Sequence, residues 1–206
     1  MGTDDSQRRY WDRQARTYDR QMGFVERHLL RDTRPWICGR AGGDTLEVAV
    51  GTGRNLPFYP DDVRLTGVEL SPAMLDLARK RAADLGRAAD LRLGTAHHLD
   101  FPDGHFDSVV CTLSLCAIPD DERAVAEMIR VLRPGGLLLL ADHVAGATRP
   151  VRAVQRLIEF VSVPYAGEHF RRRPIRHVTA AGLVIEHHER FARGVVERLV
   201  ARKPRQ

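Results

Sequence analysis

The sequence predicts an α/β fold: a mostly parallel sheet with helices on both faces, finished by an antiparallel hairpin. Three observations carry the prediction. Short β-like apolar runs alternate with longer amphipathic stretches between residues 44 and 163, the order expected of parallel strands joined by helical crossovers. The first run, Thr45-Leu46-Glu47-Val48-Ala49-Val50, ends in Gly51-Thr52-Gly53, a turn whose glycines let the backbone approach a ligand closely. Beyond residue 180 the pattern turns β-like with no long helix, and Gly194 sits where a turn is needed.

The elements follow in order. From Ser6 to about Cys38 the chain is charged and helical in pattern, with Tyr10, Trp11, Tyr18, Phe24, Leu29 and Leu30 available for a buried stripe. Strands are expected near 44–50, 63–69, 90–94, 106–112 and 136–142, and helices near 72–85, 120–132 and 150–163. Ser71-Pro72 opens a helix, with serine as the cap and proline at the first helical position. Asp103-Gly104 turns the chain into the strand that begins at Phe106. Arg133-Pro134-Gly135-Gly136 reads as a helix stop ahead of the apolar run from Leu137. Leu183-Val184-Ile185 and the stretch 195–200 form the closing hairpin.

A chain of 206 residues with this pattern suits one domain. Apolar residues at 43% and charged residues at 29% exclude a disordered composition. No segment approaches about eighteen consecutive apolar residues, and the first residues do not resemble a signal peptide, so a cytoplasmic protein is expected. Cys38, Cys111 and Cys116 are too few and too unevenly placed for a disulfide framework, and Cys111 and Cys116 read as small buried apolar residues. The nine histidines, including the pairs His97-His98 and His187-His188, show no zinc-type spacing, so no metal is expected. A net charge of +5 raises nucleic acid and anionic membrane as partners. Most arginines interleave with acids, however, and the cluster Arg171-Arg172-Arg173 has only Phe170 as an aromatic neighbour. Nucleic acid is therefore not expected, peripheral membrane contact through basic residues stays open, and solvated surface is the simpler reading of the cluster.

Glu69, closing the strand after the glycine turn, can accept from both hydroxyls of a ribose, so the turn reads as a nucleoside site. A dinucleotide fold wants a third glycine three residues after the second, where the pyrophosphate meets a helix N-terminus. Leu56 stands there and Pro57 follows, so the turn suits a ligand without pyrophosphate.

Four segments, LEVAVGTG, GVELSPAML, LDFPDGHFDSVVCTLSLCAIPD and RVLRPGGLLLLADH, together resemble the class I S-adenosylmethionine-dependent methyltransferases over roughly residues 44 to 144. The resemblance is greatest to the branch with the ubiquinone and menaquinone biosynthesis methyltransferases and the methyltransferase-like thiol methyltransferases. It implies a Rossmann-like fold with a mostly parallel seven-stranded sheet and an antiparallel C-terminal hairpin. It also implies one domain over 1–206, with 1–40 a helical cap over the site, 44–144 the cofactor-binding core and 145–206 the substrate-side helices and hairpin. S-adenosyl-L-methionine would be the methyl donor and S-adenosyl-L-homocysteine the product.

By position, the resemblance places Glu47 toward the methionine moiety, Ala49, Gly51, Thr52, Gly53 and Asn55 around the cofactor turn, and Glu69 with Leu70 on the ribose. Met74 would lie against adenine, and Thr95-Ala96 would stand where relatives carry an aspartate for the adenine amino group. Cys111 and Thr112 would close the fourth strand beside the sulfonium, and Tyr18 would close over the methionine end. Two departures stand out: Ala49 replaces a glycine and Thr95 replaces that aspartate. Methyl transfer from a sulfonium needs alignment more than acid–base help. Should a base be used, His143 at the carboxyl edge of the fifth strand is the first candidate and His169 in GEHFRRRP the second. The acceptor is expected to be small or lipophilic, with its O, N, S or C nucleophile open. Competing readings are a phosphatidylethanolamine-type lipid N-methyltransferase at a membrane surface, a nicotinamide-dependent oxidoreductase, and a non-catalytic binding module with the same fold.

Overall fold

The computed structural model describes residues 4–205, apart from the side chains of Phe24 and Arg27, so the expected place of Phe24 in a buried stripe lies outside the described residues. The chain opens with α1 (Asp4–Val25), which passes through a π-helical turn (Glu26–Leu30) into the short α2 (Thr33–Cys38). Seven strands follow: β1 (Asp44–Val48), β2 (Arg64–Glu69), β3 (Ala89–Leu93), β4 (Phe106–Thr112), β5 (Leu132–His143), β6 (Val184–Phe191) and β7 (Val196–Arg202). Between them lie α3 (Pro72–Asp84), α4 (Asp121–Val131), α5 (Arg149–Ala166) and α6 (Pro174–Ala180).

All seven strands form one sheet in the order β3-β2-β1-β4-β5-β7-β6. The first five are mutually parallel, while β7 runs antiparallel to both β5 and β6. This is the fold the sequence predicts, hairpin included. Alternate residues of the central strands feed two cores: Val109, Leu138 and Leu140 pack in one, Val110, Leu139 and Leu65 in the other. Burial on both faces explains why these strands read as continuous apolar runs.

Local chemistry fixes the boundaries. Ser71 caps α3 by accepting the Met74 N–H at 3.2 Å, with Pro72 at the first helical position. Asp120 caps α4, whose Ala124, Val125, Met128 and Val131 form its buried stripe. One expectation is corrected. Arg133–Gly136 is not a loop after a helix but a bulge inside β5, between the pairs Phe106↔Leu132 and Ser108↔Leu137. Gly135, at φ 80°, permits the bulge, and its N–H still reaches the Lys203 carbonyl at 2.8 Å, so the strand starts earlier than the apolar pattern suggests.

Candidate active site

The strand order reverses between β1 and β4, the position at which an open α/β sheet leaves a crevice beyond its carboxyl ends. A cleft with its mouth open to solvent occupies that edge.

β1 supplies the floor. Past Val48 the chain turns through Ala49 (φ 57°) and Gly51 (φ 58°), and a Cβ placed on Gly51 would meet nothing within 4 Å. The space over that peptide is open. Glu69 ends β2 with a buried carboxylate that accepts the Gly51 and Ser71 N–H groups, each at 2.9 Å. Burial pushes its pKa up, against the pull of those backbone donors.

Behind the turn lies a buried polar network. Glu47 accepts from Asn55 Nδ2 and from the Tyr59 hydroxyl, each at 2.8 Å. Asn55 also donates to Thr112 at 2.8 Å, and Arg34 donates to Asn55 Oδ1 at 2.7 Å and to Glu26 at 2.6 Å. Burial pushes the Glu47 carboxyl up to about 7.

α1 crosses the mouth, held by three aspartates spaced about two turns apart. Asp4 accepts from the Thr95 hydroxyl at 2.7 Å and from His97 Nδ1 at 2.8 Å. The Asp120 N–H donates to His97 Nε2 at 3.2 Å, which leaves the ring hydrogen on Nδ1. Asp12 accepts from the Ser71 hydroxyl at 2.5 Å and the Ala73 N–H at 3.2 Å, and Asp19 accepts from the Thr52 hydroxyl at 2.6 Å and pairs with Arg81. Tyr18, on the same helix, has its hydroxyl pushed up to about 12 by burial and stays a donor near neutral pH.

A family model described as a methyltransferase domain matches residues 46–140. A phosphatidylethanolamine N-methyltransferase of Cereibacter sphaeroides is 39% identical over 143 residues, covering 68% of this chain and 70% of that protein. The chain belongs to the S-adenosylmethionine-dependent methyltransferases. The human thiol S-methyltransferase TMT1A is 34% identical over 62% of this chain, and the match spans only 54% of that protein. Among solved structures, a Thermotoga maritima S-adenosylmethionine-dependent methyltransferase, described as a possible histamine N-methyltransferase, superposes with a TM-score of 0.72 at 24% identity. The match covers 95% of this chain and 99% of that one, a likeness of fold.

The cleft of this methyltransferase fits its donor: open space over Gly51, a buried carboxylate at Glu69, and an apolar share of lining from Met74, Leu113, Ala117 and Ile118. The structure brings Tyr18, Glu47, Ala49, Gly51, Thr52, Glu69, Leu70, Met74, Thr95, Ala96 and Thr112 together as lining. It does not bring Gly53, Asn55 or Cys111 there. A Cβ on Gly53 (φ 77°) would stand 2.7 Å from Leu56 and 3.1 Å from the Ala78 backbone, so this glycine serves the packing of the turn on α3. Asn55 is fully buried as the bridge between Glu47 and Thr112. Cys111 is buried within the sheet, where desolvation pushes its thiol up.

Both candidate bases also fall outside the cleft lining. His143 lies against Phe170 at 5.8 Å between ring centres, and burial lowers its pKa. His169 lines a separate cleft between α1 and α5. Spacing alone gave no metal site, yet the fold gathers Cys116, Asp142 and His143 with ligand atoms within 4.8 Å. Asp142 already spends its oxygens on the Ser114, Cys116 and His143 N–H groups. The arginine cluster is not plain solvated surface. Arg172 donates to the Leu115, Ile118 and Pro119 carbonyls beside the cleft, and Arg171 pairs with the buried Glu159. Sequence reasoning missed Asp4, Trp11, Arg34, Arg54 and His97, all of which line the cleft. Only proximity to Thr95 could have pointed to His97, and no spacing rule links residue 4 to residue 95.

Proposed function

We propose that the chain methylates a lipophilic acceptor through a nucleophile that supplies its own lone pair, an amine headgroup or a thiolate. The observation that carries this reading is that no imidazole is free among the described cleft residues. His97 is held at both nitrogens and Tyr18 is held protonated, while the carboxyls of Asp4, Glu47 and Glu69 each accept two intramolecular hydrogen bonds on the donor side of the cleft. A quinol carbon or an alcohol would require a base; a neutral amine or a thiolate does not. The lipophilic half of the reading draws on Trp11, Leu113, Ala117, Ile118 and Pro119 in the lining, and on the phosphatidylethanolamine specificity in the name of the Cereibacter relative.

In this reading residues 1–40 cap the site, 44–144 hold the donor and 145–206 serve the acceptor side. Glu69 accepts from the ribose hydroxyls through the lone pairs its backbone donors leave free, with Leu70 beside it. Gly51 and Thr52 pass under the donor, while Met74 and Ala96 flank the adenine. Asp4, fixed by Thr95 and His97, supplies the carboxylate that position 95 lacks. Glu47 and Thr112 face the sulfonium side and Tyr18 closes over it. S-adenosylmethionine held there would supply an electrophilic methyl carbon for in-line displacement of its sulfur by the acceptor lone pair. The residues contribute alignment and exclusion of water. An amine acceptor gives up its proton to solvent afterwards.

A radiolabelled methyl-transfer screen across amino lipids, lipophilic thiols, quinols and phenols tests the acceptor, and transfer only to quinols or phenols would overturn it. Glu69→Gln is expected to weaken S-adenosylhomocysteine by about 1.5–3 kcal/mol, the range for hydrogen bonds to a charged group. Calorimetry with unchanged affinity would remove the ribose assignment.

A further inference from the structure

α5 is built inside out. Its inward face carries two buried polar residues. Gln155 bonds the Gly146 N–H and the Val144 and Phe170 carbonyls, and Glu159 holds Arg171. Its outward face carries Val154, Leu157, Ile158, Phe160, Val161 and Tyr165, six of the ten large apolar side chains exposed among the described residues. Phe160 is 83% exposed and Leu157 74%. A helix that only covered the sheet would show the reverse pattern.

The rim of this face is basic. Arg149 and Arg156 are exposed and have no partner among the described residues, and exposed Arg9 and Arg13 of α1 line the cleft they share with Tyr165. Glu159, the single acid of α5, is buried beneath Arg171. A second copy seated on this face would set arginines against arginines. A layer of anionic headgroups over acyl chains complements both the charge and the apolar strip. No helix among the described residues is long and apolar enough to cross a membrane, so α5, about 27 Å long, would lie in the plane of the surface. Its last turn meets α1, where Gln7 donates to the Ala166 carbonyl at 3.2 Å, and Gln7 also lines the donor cleft.

We propose that α5 is an interfacial helix that docks this chain on an anionic lipid bilayer, with its apolar face among the upper acyl chains and Arg149, Arg156, Arg9 and Arg13 on lipid phosphates. The carrier is the apolar strip of α5, not the Arg171–Arg173 cluster, whose first two members are engaged within the fold. Docking would set the side cleft between α1 and α5, which shares Gln7 and Pro119 with the donor cleft, against the membrane. The inference does not depend on which acceptor is methylated.

Flotation of the full chain with phosphatidylcholine vesicles, with and without about 30 mol% phosphatidylglycerol, tests it. Binding is expected to the anionic vesicles and to be at least ~tenfold weaker on neutral ones. The double variant Leu157→Glu with Phe160→Glu should lose the anionic binding at least ~tenfold while keeping its S-adenosylhomocysteine affinity, which checks the fold. Arg149→Gln with Arg156→Gln should lose it several-fold and flatten its salt dependence. Failure of the wild-type chain to float, or equal flotation of the glutamate variant, would overturn docking. So would a wild-type dimer in ultracentrifugation that the glutamate variant dissolves, since a second copy would then cover the face. Methylation of a dissolved lipophilic acceptor by a chain that ignores vesicles would overturn docking alone.

Discussion

Ala49 holds φ at 57°, a region that costs a residue with a Cβ about 1–2 kcal/mol. Ala49→Gly should relieve that strain and give back part of the gain through a freer unfolded chain, leaving about 0.5–1 kcal/mol of added stability. Thermal unfolding reads this as a rise of about 1–4 °C, and an unchanged or lower melting temperature would contradict the strain. Glu47 gives a second prediction. Its folded pKa of about 7 lies above the ordinary carboxylate value, so its contribution to stability is full below that ordinary value and is lost as pH rises through 7. With the donor placed as proposed, a sulfonium near Glu47 would favour the carboxylate, so donor binding near pH 7 should release a proton. Calorimetry in buffers of differing ionisation enthalpy would detect it, with less release for S-adenosylhomocysteine, whose sulfur is uncharged, and none from this site in Glu47→Gln. At this scale the glycine turn and Glu69 were legible because each has a strong local reason to be where it is. Asp4 and Arg34 were not, since their neighbours Thr95 and Thr112 are distant in the chain and meet only after the helices dock.

The elements were largely legible too, because patterns of period two and 3.6 survive wherever one face is buried. The π-helical turn at Glu26–Leu30 and the β5 bulge were not, because both depend on tertiary pairing. The helical pattern of α5 was visible, but which of its faces turns inward was decided by Gln155 and Glu159 finding backbone and arginine partners. Gly53→Ala tests how tightly the turn is packed on α3. At φ 77° and 3.1 Å from the Ala78 backbone, an added methyl should destabilise by about 2–3 kcal/mol, read as a lower denaturant midpoint with an unchanged slope.

For the molecule as a whole, β1, β4 and β5 lie inside the sheet between two cores, whereas β6 is an edge strand with half of its residues exposed. Native-state amide exchange should therefore show strongest protection in β1, β4 and β5 and weaker protection along β6. Uniform protection across the sheet would show that the hairpin is locked into the global unfolding unit. The strand order itself was predictable only as a class, since β-α alternation gives parallel pairing without saying where the sequence of neighbours reverses.

The three aspartates of α1 have a kinetic consequence. Each grips the loop after a different strand: Asp19 after β1, Asp12 after β2 and Asp4 after β3. Swinging one loop aside therefore leaves two latches shut, so motions that free α1 from the sheet edge should be slower than those of any single loop.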